Sequence, residues 1–144
     1  MTAIARYRQL QLREQWLVVE TICALALIPA LLRMIGLRHL TSLLQRWPEV
    51  RRTNQWTPSD VALLVERAST RLGWTTSCLH RSLVAAWCMQ RRGLSAALVI
   101  GVRRNAEGFA AHAWVDYPGR APFAVDNEYS AIAAWHLRAA PSPP

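Results

Sequence analysis

Cys78 stands where a hydroxyl-rich turn, Thr75-Thr76-Ser77, runs into an amphipathic stretch, Leu79-His80-Arg81-Ser82-Leu83. Small hydroxyl residues ahead of an apolar-periodic run start helices, so Ser77 or Thr76 is the N-cap and Cys78 falls in the first turn. First-turn N–H groups carry partial positive charge, and a sulfur beside them is favoured as thiolate, the form of cysteine that attacks carbonyls. A thiolate needs a partner that takes and returns a proton near neutral pH, and that is histidine chemistry. Of His39, His80, His112 and His136, His80 lies two residues from Cys78 on the same helix, so those side chains diverge. His112 sits in Ala110-Ala111-His112-Ala113-Trp114-Val115, where small alanines leave its ring accessible.

A carboxylate that fixes the imidazole completes a nucleophile, base and orienter set. The strand-like run 109–117, a turn at Pro118-Gly119-Arg120 and a third strand-like run 122–126 predict a hairpin centred on Gly119. In that register His112 faces Asp126 across the ladder, with Cβ atoms about 4.5–5.5 Å apart. Asp116 is the rival acid, but it lies along the same strand as His112 and too far on to orient the ring.

These residues need a scaffold. Residues 16–35 form an apolar helix that Gly36 ends and Pro29 bends, and residues 37–47 form a second one. Residues 48–57 are polar, lack a period and read as linker. Thr57, Pro58 and Asp60 are helix-start chemistry, and Val61, Leu64, Val65, Ala68 and Leu72 make the apolar stripe of the helix that follows, stopped by Gly73. The Cys78 helix runs to about Arg92, with Gly93 as its stop and Cys88 as a packed core thiol. Ala96–Arg103 is a strand, Asn105-Ala106-Glu107-Gly108 a turn, and residues 130–138 a short terminal helix. The expectation is an α+β fold in which N-terminal helices precede a three-stranded antiparallel meander carrying the nucleophile helix. Residues 1–56 make the apolar helical region and linker, 57–138 the core and 139–144 a disordered tail.

Three cysteines in 144 residues, with no C-x-x-C pair, indicate neither a disulfide framework nor a four-thiolate zinc site. The net charge is +8 and all 17 basic residues are arginine, spread along the chain without the dense basic face or motif of a nucleic-acid binder. The charge-free part of the first apolar stretch, Thr21 to Leu32, is shorter than the roughly 20 residues of a membrane span. A cytoplasmic location follows, with peripheral membrane attachment through residues 16–35 as the weaker reading.

Cys78-Leu79-x-Arg81-Ser82-Leu83, Arg91-Arg92-Gly93-Leu94, Leu98-x-Ile100-Gly101-Val102 and Phe109-x-Ala111-His112-Ala113-Trp114-Val115, followed by Asp126, resemble the transglutaminase-like cysteine peptidases of lasso peptide biosynthesis. The resemblance covers about residues 57–127. It implies a papain-like core in which Cys78 is the nucleophile, His112 the general base and acid, and Asp126 its orienter. The implied reaction is hydrolysis at the leader–core junction of a ribosomally made precursor. It implies as partners the precursor, a separate leader-recognition protein and a cyclase that uses ATP; the peptidase itself takes no cofactor. The Cys78 N–H is one oxyanion donor, Trp74 a second candidate, and Trp114 a wall of the substrate cleft. Three alternatives stay open: acyl transfer to an amine through the same residues, a non-catalytic scaffold, and a metal held by Cys78, His80, Cys88 and His112, whose spacing is not that of a ligand set.

Overall fold

The computed structural model describes residues 12–47, 56–72, 76–120 and 124–137. The linker, Gly73, Trp74 and the C-terminal tail lie outside them or nearly so. Helix α1 spans Leu12–Gln45, α2 Pro58–Arg71 and α3 Cys78–Arg91; strand β1 is Ala96–Asn105, β2 Gly108–Asp116 and β3 Ser130–Leu137, with a single turn of helix, α4, at Ala124–Asn127. This is the α+β arrangement expected, with differences in the last third of the chain.

Local chemistry sets the helix ends. Thr57 and Asp60 form a reciprocal capping box, and Pro58 occupies the first turn where its missing N–H costs nothing. Ser77 caps α3 by accepting from the His80 N–H at 3.2 Å. At the other end Gly93 takes φ 72°. Its N–H donates to Gln90 O and the Leu94 N–H to Met89 O, the paired bonds of a Schellman stop. Gly36 interrupts α1 with φ 74° and ψ 163°, as its place between two apolar runs predicts.

Helix α3 is the centre of the molecule. Leu83, Val84, Ala86, Cys88 and Met89 are fully buried, because α1, α2 and the sheet all pack against it. Buried polar side chains of α3 find partners there, as with Gln90, whose amide N–H donates to Gln45 O at 3.1 Å. Glu20 of α1 is almost buried and pairs with Arg91 and with Arg92, at 2.6 Å to the latter. The lone acid in the first apolar stretch therefore ties α1 to the C-terminal end of α3.

The sheet order is β2-β1-β3, with β1 antiparallel to both neighbours. It is not a sequential meander. Residues 130–137, expected as helix, form β3; of the expected strand at 122–126, residues 124–126 belong to a helical turn instead, and 122–123 lie outside the described residues. Alanines at 131, 133 and 134 favour helix in isolation, but Ala133, Trp135 and Leu137 alternate inward and β1 offers an open edge to pair with. Pairing and burial override a propensity summed over only eight residues.

Candidate functional site

One cleft, about 760 Å³ in volume, opens between α2, the N-terminal end of α3, and β2. Cys78, His112 and Asp126 all line it. Cys78 is the first residue of α3 and is half-buried, so its sulfur lies at the end of the helix where backbone N–H groups have no intrahelical acceptor. Ser82, one turn on and on the same face, donates from Oγ to Ala113 O at 3.1 Å. That bond fixes α3 against β2 at the residue next to His112.

His112 is opposite Gly101 in the β1–β2 ladder, not opposite Asp126. Among the described residues β2 pairs with β1 alone, and the expected hairpin register is not found there. The pairing of side chains nonetheless occurs. Helix α4, in the crossover from β2 to β3, carries buried Asp126 to within 3.3 Å (Oδ1) of His112 Nε2. Its second oxygen, Oδ2, is 2.5 Å from Nη2 of Arg120, itself almost buried. Arg120 closes the turn after β2, its N–H donating to Tyr117 O. The carboxylate thus bridges an imidazole and a guanidinium, and a buried carboxylate needs such partners. Nothing in the sequence around Arg120, read as a turn residue, pointed to this contact.

The imidazole is also held by rings. Trp114 stacks on it at 5.8 Å and 23°, and Tyr129 leans against it at 5.2 Å. Arg103 lies over the Tyr129 ring, 5.1 Å from its centroid, and pairs with Glu128. Trp114 lines the cleft; Trp74 is outside the described residues.

Trp114 can lie this way because Gly101 has no side chain. A Cβ there would come within 2.8 Å of two indole carbons and 3.0 Å of the Tyr129 Cβ. A glycine inside a strand often marks such a close approach, and a shift in the β1–β3 register falls at the same point. Gly101→Ala is therefore expected to overpack the site and cost about 1–3 kcal/mol in urea unfolding. An unchanged midpoint would show that the indole does not need this space.

The other candidate ligands fall elsewhere. Cys88 is sealed in the core with its sulfur 3.9 Å from the Thr21 hydroxyl. His80 is partly buried, and desolvation, with the Arg33 guanidinium second, lowers its pKa and favours the neutral ring. Among the described residues no group of three His, Cys, Asp or Glu side chains could hold a metal ion. Burial, then the nearby Glu20 charge, pushes the Cys88 thiol from 9.0 up to about 12. A raised folded-state pKa gives stability that is complete below pH 9 and is lost as pH climbs towards 12. At pH 8 iodoacetamide is expected to modify Cys23 and Cys78 in the native protein, and Cys88 only after denaturant. Peptide mapping that found Cys88 alkylated as fast as Cys23 would contradict its burial.

A family model described as the transglutaminase-like superfamily matches residues 24–134. No curated protein and no solved structure matches the chain.

Proposed function

Because the chain belongs to the transglutaminase-like superfamily, we propose that it is a cysteine peptidase that removes the leader from a ribosomally made lasso peptide precursor. The superfamily includes cysteine peptidases and acyltransferases, so the finer assignment rests on the site and on the sequence resemblance across residues 57–127. The observation that carries it is the convergence of Cys78, His112 and Asp126 on one cleft from a helix tip, a strand and a crossover turn.

Asp126 faces Nε2 of His112. Nδ1 is therefore the nitrogen left to exchange a proton with the sulfur. Cys78 Sγ attacks the carbonyl carbon at the leader–core junction as its proton passes to His112 Nδ1, and the C–O double bond opens to an oxyanion. The Cys78 N–H at the helix start, aimed outward by the helix geometry, is the donor nearest that charge. Collapse re-forms the carbonyl and breaks the C–N bond; His112 returns its proton to the departing core amine. Water then attacks the thioester, gives a proton to His112, and releases the leader as a carboxylic acid with the thiol restored. The freed core amine becomes the substrate of an ATP-using cyclase, and a separate recognition protein presents the leader.

Mixing the protein with a candidate precursor and its recognition partner tests this. Free leader and free core, each at its hydrolysed mass, are expected. Intact precursor would refute peptidase activity on it. A leader joined through an amide to an added amine would place the chain among the acyl-transferring members instead.

A further inference from the structure

The N-terminal part of α1 is apolar on two opposite sides. Leu17, Leu25 and Ile28 are in the core, whereas Leu12, Trp16, Val19, Leu27 and Met34 are exposed, with Cys23 among them. Steps of three, four and seven residues put those six on one stripe of roughly 33 Å. Isolated exposed leucines need no explanation, but a continuous apolar stripe of this length marks a binding face.

Its charge says what it binds. The exposed charged residues described in α1 are Arg33 and Arg38, and exposed Arg46 follows its end. Glu20 is occupied by Arg91 and Arg92, and Glu14 is half-buried. Residues 1–47 carry six arginines against these two acids. Trp16, near the N-terminal end of the stripe, is exposed. A second copy on this face would bring arginines together with no exposed acid on α1 to meet them. A surface of anionic lipid supplies the negative charge, and tryptophan suits its headgroup layer.

We propose that this face of α1 lies flat on an anionic membrane surface. The helix is long and apolar enough to span a bilayer. Spanning, however, would break the buried Glu20 ion pairs and strip Leu17, Leu25 and Ile28 from the core. Lying in the interface buries the outer stripe and leaves the inner contacts intact. The cleft is built from α2, α3 and β2 and does not use this face.

Sedimentation of the full chain with sucrose-loaded vesicles tests the proposal. Partitioning onto mixed phosphatidylglycerol–phosphatidylcholine vesicles is expected to exceed that onto pure phosphatidylcholine by about tenfold and to weaken with salt. Val19→Glu with Leu27→Glu should cut it by about tenfold or more, with the far-UV circular dichroism melt showing whether the fold is kept. Should the double variant melt early, Val19→Trp decides, since added apolar area on the stripe must tighten binding. Wild-type protein left in the supernatant with anionic vesicles would overturn the proposal, as would pelleting unaffected by a folded double variant. A concentration-dependent dimer that the double variant abolishes, without vesicle binding, would assign the face to a second copy.

Discussion

Cys78→Ala is expected to lower the rate of precursor cleavage by about 10³-fold or more, with the thermal midpoint little changed. Removing the nucleophile of a unit that acts together forfeits nearly all of its catalysis, so the loss should be close to complete. The fold should tolerate the change for a local reason. Ser77, not Cys78, supplies the cap of α3, and its bond to the His80 N–H does not involve the sulfur. Cys78 is only partly buried, whereas the buried residues of α3 begin one turn later at Ser82 and Leu83. Cys78→Ser keeps a hydroxyl in place of the thiol and should be almost as inactive, because an alcohol is a far weaker nucleophile without a matched base. Mass spectrometry of a time course with precursor and recognition partner gives the rate. Cleavage by Cys78→Ala within tenfold of wild type would make the thiol inert and leave the chain as a scaffold that binds partners.

The parts of this fold that were legible in advance are those governed by neighbours in the chain. Thr57-Pro58-x-Asp60, Ser77 and Gly93 announce helix ends because the hydrogen bonds they satisfy lie within a few residues. The β1–β2 hairpin was equally readable, since its turn, Asn105 to Gly108, is local. What was misread depends on distant partners. Residues 130–137 become a strand only because β1 has a free edge, and no window of eight residues contains β1. Asp126 was paired with His112 through a hairpin that does not form; the contact is delivered by α4 in a crossover. The contact therefore owes nothing to the register that suggested it. Arg120 and Tyr129 were missed because a buried guanidinium beside a carboxylate and a ring beside an imidazole are tertiary facts. Gly101 did carry a signal, a lone glycine in a β-branched run, but not the identity of the indole that fills its space.

Arg120 allows the arrangement around the imidazole to be taken apart. Asp126→Asn should slow cleavage by roughly 10²- to 10⁴-fold, because an amide can present the wrong group to His112 Nε2 and cannot stabilise the imidazolium. In the proposed reaction Arg120 would be a positioning residue: its Nη2 lies 2.5 Å from Oδ2 while Oδ1 faces the ring. Arg120→Gln should cost about 10- to 100-fold in kcat with KM little altered, the size of effect seen when a supporting hydrogen bond behind a reactive group is lost. Arg120→Lys keeps the charge but loses the planar fork, so it should recover only part of the rate. The decisive measurement is the double variant. If Arg120 works only through the carboxylate, adding Arg120→Gln to Asp126→Asn should slow the reaction no further, whereas independent roles would multiply. Arg120 also borders the cleft. Multiplying losses with a raised KM would therefore show that its guanidinium touches the substrate itself. Thermal melts of all four proteins separate either result from simple destabilisation, since a variant that melts early loses active enzyme rather than kcat per folded molecule.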